Sequence, residues 1–182
     1  MSAILQPVTP SAVAALRQEL AVGRKSLFDA FEANLHTKRL LRRHCMLVDR
    51  TLAKLWSISG LGNLAALIAV GGYGRGELYP YSDVDVLILV PASASEDIRT
   101  RLEALIGQFW DIGLEVGHSI RTLDECFETA AQDVTIQTNL IEARRITGDA
   151  ILARELNTGV RVHLDPKAFY TAKKLELEHR HA

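Results

Sequence analysis

Two apolar runs, separated by a glycine-rich turn and an acidic pair, constrain this chain more than any other feature. Leu64 to Val70 is a continuous apolar run closed by Gly71-Gly72. At this length it fits a buried strand better than a helix. From Asp83 the chain reads Asp-Val-Asp-Val-Leu-Ile-Leu-Val up to Pro91, and its length and β-branching predict a second strand. Side chains alternate along a strand, so Asp83 and Asp85 are expected on one face, roughly 7 Å apart.

Helical signals surround this pair of strands. Thr9-Pro10 reads as a helix start, with Val13, Leu16, Leu20, Leu27, Phe28, Phe31 and Leu35 following at helical spacing. Leu41, Cys45, Val48, Leu52 and Leu55 predict a second amphipathic helix over 37–57. Ser93 with Glu96 and Thr122 with Glu125 read as capping boxes that open two further helices. Leu114 to Arg121 and Ile141 to Thr147 read as a third and a fourth strand. Asp133 opens another helix, and Asp165-Pro166 the last one, which runs to Ala182 without a stop signal and reads as cut short. No repeat or Pro/Gly/Ser linker divides the chain. The expected organisation is an N-terminal helical extension (1–60), an α/β (α+β) core (61–165) and the start of a truncated C-terminal helix (166–182).

Composition narrows the function. Lys and Arg number 21 against 22 Asp and Glu in 182 residues, a net charge of −1, so no global field draws in a nucleic acid or an anionic membrane. The cluster Lys38, Arg39, Arg42, Arg43 and His44 lacks interleaved aromatics and reads as a solvated face. No apolar run approaches the roughly 20 residues of a membrane helix, and residues 2–9 do not resemble a signal peptide. The two cysteines, Cys45 and Cys126, have no metal or disulfide spacing, which makes a reducing cytoplasm the expected setting.

The segment Gly71-Gly72-Tyr73-Gly74-Arg75-Gly76-Glu77-Leu78-Tyr79-Pro80-Tyr81-Ser82-Asp83-Val84-Asp85-Val86 carries the chemistry. Glycine lets backbone approach a phosphate, and free amides at a turn or short helix start point donors at it. Gly71, Gly72, Tyr73 and Arg75 are the candidate phosphate contacts; Arg75 would add a planar cation, unless it only pairs with Glu77 or another acid. Asp83 and Asp85 repel each other, a conflict that a divalent cation resolves, and magnesium suits carboxylate and phosphate oxygens. Alternation turns Leu114 and Val116 away from Glu115, which makes Glu115 the best-placed third carboxylate, to hold metal or accept a proton. Ser82 either caps the turn or touches phosphate.

The glycines do not satisfy GxGxxG, and no P-loop Lys-Ser/Thr follows. Strand, Gly-Gly, short helix and strand-borne Asp-x-Asp instead resemble the DNA polymerase β-like nucleotidyltransferase superfamily, through Gly71, Gly72, Asp83 and Asp85. The strings GGYGRGELYPYSDVDVLIL, WDIGLEVGHSIRTLDEC and TNLIEARRITGD resemble the N-terminal region of the bacterial PII-protein uridylyltransferases, bifunctional nitrogen sensors. That resemblance implies a small mixed sheet with packed helices and, with magnesium, transfer of UMP from UTP to a tyrosine of the small PII signalling protein. It also implies that the family's UMP-removing and sensing domains, and the continuation of its transferase domain, lie outside these 182 residues; with the last helix cut and the cleft lacking the wall of that next segment, the chain is expected to fold but to bind nucleotide weakly and turn over poorly. The alternatives are a small-molecule nucleotidyltransferase of the antibiotic-modifying kind and a non-catalytic interaction or sensing module on the same fold.

Overall fold

The two apolar runs become adjacent antiparallel strands, β1 (Ala66–Ala69) and β2 (Val84–Leu89), with Ile68 opposite Leu87. They are seen in a computed structural model that describes residues 10–180. A one-turn helix, α3 (Gly71–Gly74), lies between them. Strand β3 (Val116–Arg121) pairs parallel with β2, and β4 (Arg144–Gly148) pairs antiparallel with β1, giving the order β3-β2-β1-β4. The sheet is therefore mixed, as expected.

Helices cover both faces, and this is why the central strands are apolar without alternation. On one face, α1 (Pro10–Asn34), α2 (Thr37–Ser59) and α4 (Glu96–Asp111) bring Leu20, Leu52, Trp56 and Phe109 against Leu67, Ala69, Val84, Val86 and Ile88. On the other, α5 (Leu123–Gln132), α6 (Val134–Ile141) and α7 (Ala150–His163) bring Cys126, Leu140 and Leu156 against Ala66, Ile68, Leu87 and Leu89. Helix α8 (Pro166–Arg180) follows, its first amides bonded to Asp165 Oδ1.

Three local expectations change. Helix α4 is preceded by Ser95, which makes no side-chain cap, so Ser93 and Glu96 form no box. Glu96 is already the first helical residue and cannot occupy the third position that a box requires. Ile141 ends α6 rather than opening a strand, because β4 begins only at Arg144. Helix α7 had no counterpart in the sequence reading, although Asp149 caps it through the Ile151 and Leu152 amides. By contrast, the Thr122–Glu125 box is present in both directions, and Asp133 caps α6. Thr9, the expected cap of α1, lies outside the described residues, as does Ala182.

His44 on α2 is buried, one of the polar groups inside the helical face. Arg24 donates to its Nε2 at 3.1 Å, so the neutral ring carries its proton on Nδ1 and donates to the Leu78 carbonyl at 3.1 Å. Burial, with the neighbouring Arg24 charge, holds its pKa below the usual 6.5, against the opposing pull of the Leu78 carbonyl. The unfolded chain then binds the proton more readily than the fold does. This contribution to stability is whole above about pH 6.5 and is lost as pH falls from there through the folded value. Urea unfolding at pH 7.5 and 5.5 is expected to show the loss, and His44→Asn, which keeps a donor near the Nδ1 position but cannot titrate, to reduce the difference between the two.

Candidate active site

The glycine turn is fastened to the acidic strand by main-chain bonds. The Val70 amide donates to the Asp85 carbonyl at 3.1 Å, continuing the β1–β2 pairing to the edge of α3. Gly71 then turns the chain with φ of +58°, a value that favours glycine. Gly74 and Arg75 donate back to Val70 and Gly71, at 3.0 and 3.2 Å. The amides of the first turn have no acceptor within the helix, which leaves donors for an anion.

The expected phosphate contacts divide on inspection. Gly71 and Gly72 lie at the helix start. Tyr73 is buried, and its hydroxyl donates to Asp49 at 2.6 Å; its side chain faces the core, so it can reach a phosphate only through its main-chain amide. Arg75 is half-exposed and bound to Glu142 at 2.6 Å, an acid from α6's C-terminal end rather than Glu77. That bond, with the Glu142 charge, raises the Arg75 pKa. Ser82 is exposed, with its amide closing a turn on the Tyr79 carbonyl at 3.2 Å.

The two aspartates stand on one face, exposed on either side of buried Val84. Burial and then the charge of Asp83 push the Asp85 pKa up. Glycines make the room in which the Asp85 carboxylate lies. A Cβ at Gly117, the β3 residue paired with Asp85, would stand 2.4 Å from Asp85 Oδ1. A Cβ at Gly71 would lie 3.8 Å from Asp85 Oδ2 and 3.4 Å from Asn139 Oδ1. The turn, Asp85 and the α6 carboxamide thus converge on one place.

Glu115 is exposed between buried Leu114 and Val116, as alternation requires. Its carbonyl accepts from the Val84 amide at 2.9 Å, extending the parallel pairing so that Glu115 runs beside Asp83. With Ser82, Arg24, Phe28 and His44 it also lines a cavity of about 170 Å³. Among the described residues no three His, Cys, Asp or Glu side chains gather as a metal cluster. Two hard carboxylates, one of them lying over Gly117 and close to the Gly71 turn, nonetheless fit magnesium, which is commonly held by one or two carboxylates plus substrate phosphates.

Sequence reasoning missed Gly117, Asn139, Asp49 and Arg144. The signal for Gly117 was legible, since it stands two residues after Glu115 on the same strand face. The other three are joined to the turn only by long-range contacts.

The nucleotidyltransferase domain family matches residues 48–145, which hold this turn and both aspartates. The chain belongs to that family. It is 51% identical over 165 residues, 91% of its length, to the bifunctional uridylyltransferase/uridylyl-removing enzyme of Chromobacterium violaceum, covering 19% of that protein. Enzymes of the same name from Ralstonia nicotianae and Cupriavidus pinatubonensis are 48% and 45% identical over 91% and 100% of this chain, which covers 19% and 21% of them. The chain thus spans about a fifth of the length of these curated relatives. A crystal structure of a toxin-antitoxin with AMP-PNP aligns to 74% of this chain, and 98% of its own, with 13% identity and a TM-score of 0.41, too slight a likeness to bear on the site. No described helix is long and apolar enough to cross a membrane.

A raised Asp85 pKa means that its charge costs stability above the folded pKa. Asp85→Asn is therefore expected to melt higher than the parent without divalent metal, as a thermal melt would show, and to lose transfer activity by on the order of a hundredfold or more. Gly117→Ala, which crowds the same carboxylate, is expected to lower activity while the sheet stays folded, as circular dichroism and initial rates would show.

Proposed function

We propose that this chain transfers UMP from UTP to a tyrosine hydroxyl of the small PII signalling protein. The observation that supports the reading is the approach of Gly71, at the start of the α3 turn, to the Asp85 carboxylate, in a chain 45–51% identical to the three named uridylyltransferases. The PII acceptor rests on the sequence resemblance to that family.

On this reading the first-turn amides of α3 hold the triphosphate, and Arg75, released from Glu142, adds charge to it. Asp83 and Asp85 would hold magnesium, which supplies positive charge to the phosphate oxygens when bound. The acceptor oxygen forms a bond to the α-phosphorus as the bond between that phosphorus and the β-bridging oxygen breaks. The hydroxyl proton passes to Glu115, and pyrophosphate leaves. Buried, unpaired cysteines accord with a reducing, cytoplasmic setting.

The test is incubation of the chain with PII, magnesium and UTP labelled on the α-phosphate. Label is expected on PII from UTP in preference to ATP, and not with Asp83→Asn or Asp85→Asn. Label on PII that survives both substitutions would overturn the reading. Calorimetric titration adds a second arm. Asp83, Asp85 and the triphosphate are all anionic, so UTP is expected to bind measurably only with divalent metal, and tight metal-independent binding would remove the role given to the aspartates.

A further inference from the structure

Arg144, at the start of β4, takes no part in the chemistry above, yet its guanidinium has more partners than any other around the turn. It holds both carboxylate oxygens of Asp49, at 2.8 and 3.1 Å. It donates from Nε to the Gly74 carbonyl and from Nη2 to the Tyr73 carbonyl, each at 3.3 Å. Cys45 Sγ lies 3.3 Å from Nη2. The Tyr73 ring centroid lies 5.5 Å from the guanidinium carbon, and the Tyr73 hydroxyl returns to Asp49. One planar cation therefore joins the last carbonyls of α3 to a carboxylate on α2.

A four-residue helix has almost no stability of its own, because the cost of nucleation is not recovered in one turn. Something outside must set its axis. The last carbonyls of a helix lack partners within it and carry partial negative charge, which a cation at that end satisfies. The same axis fixes where the first amides point, since they belong to the same turn. Only a planar fork can serve two carbonyls and a carboxylate together; a lysine ammonium cannot span them.

We propose that Arg144, braced by Asp49, is a positioning residue that sets the orientation of the Gly71–Gly74 turn toward the nucleotide phosphates. This rests on the nucleotide reading of the turn given above. The pair brings α2, expected from sequence to be an extension, into the construction of the site.

The test compares Arg144→Lys and Asp49→Asn with a control, Arg101→Lys. Arg101 makes comparable bonds, to the Gly60 carbonyl and Asp97, away from the turn. Three quantities are measured on each: melting temperature, amide exchange at Gly74 and Arg75, and the KM and kcat for UTP with magnesium. For Arg144→Lys the exchange at those two amides is expected to quicken at least tenfold relative to core β2 amides, and the KM for UTP to rise about tenfold with a smaller fall in kcat. Asp49→Asn is expected to follow in the same direction, less strongly, and keeps the test decisive if Arg144→Lys fails to fold. Arg101→Lys is expected to lower the melting temperature without moving exchange at the turn or KM. If the Arg144 and Asp49 variants behave like the control, the positioning role is overturned. If the parent chain neither binds nor transfers UTP, the functional reading fails instead, while the exchange data still decide whether Arg144 orders the turn.

Discussion

Burial of β2 on both faces is what allows two like charges to stand side by side at its start. Val84, Val86, Leu87, Ile88 and Leu89 are all buried, and each such side chain is worth roughly 1.5–3 kcal/mol. Repulsion between exposed carboxylates roughly 7 Å apart is on the order of 1 kcal/mol in a well-solvated setting. Packing therefore wins by a wide margin. The pair is carried as a tolerated conflict, stored where a cation and a phosphate can relieve it.

The sheet's two faces do different work because they are closed to different extents. The face under α1, α2 and α4 continues apolar through Val84 and Val116. The opposite face is apolar at Leu87 and Leu89 but changes at Asp85, where Gly117 beside it carries no side chain and α6 offers Asn139. Parallel pairing of β2 with β3 fixes this change in register. It sets Glu115 beside Asp83 and Gly117 beside Asp85, so the strand contributes an acid at one position and space at the next.

What was legible in the sequence follows from how local each signal is. The runs 64–70 and 83–90 showed their strands because burial on both faces leaves no polar interruption, and Asp83 and Asp85 showed their common face through strand periodicity alone. The Thr122–Glu125 box was legible because both its bonds close within three residues. Ser93–Glu96 matched the same pattern without forming it, since the chain at Ala94 is still bonded in a turn to Pro91. Helix α7 was missed even though Asp149 caps it and Ala153, Leu156 and Val160 recur at helical spacing. Asp49 and Arg144 could not have been found locally: 95 residues separate them, and each reads alone as an ordinary helix or strand charge. Tyr73 shows the same limit, because its place in the glycine motif suggested the phosphate while its hydroxyl belongs to Asp49.

One consequence joins the charges of the site to its ligands. On the proposed reading, Asp83 and Asp85 give a magnesium ion few protein ligands, since among the described residues no three acids gather as a metal cluster, so metal alone is held weakly. A triphosphate alone meets Asp83 and Asp85 as like charges, and the α3 amides must overcome that repulsion. Bound together, each ligand removes the obstacle to the other: the cation cancels the repulsion, and the phosphate oxygens complete its coordination. Such coupling is reciprocal, so whatever factor magnesium contributes to nucleotide affinity, nucleotide returns to magnesium affinity. On that reading metal and nucleotide arrive as a pair, and the α3 turn adds to the selectivity only as far as its amides are held in place by the guanidinium at its far end.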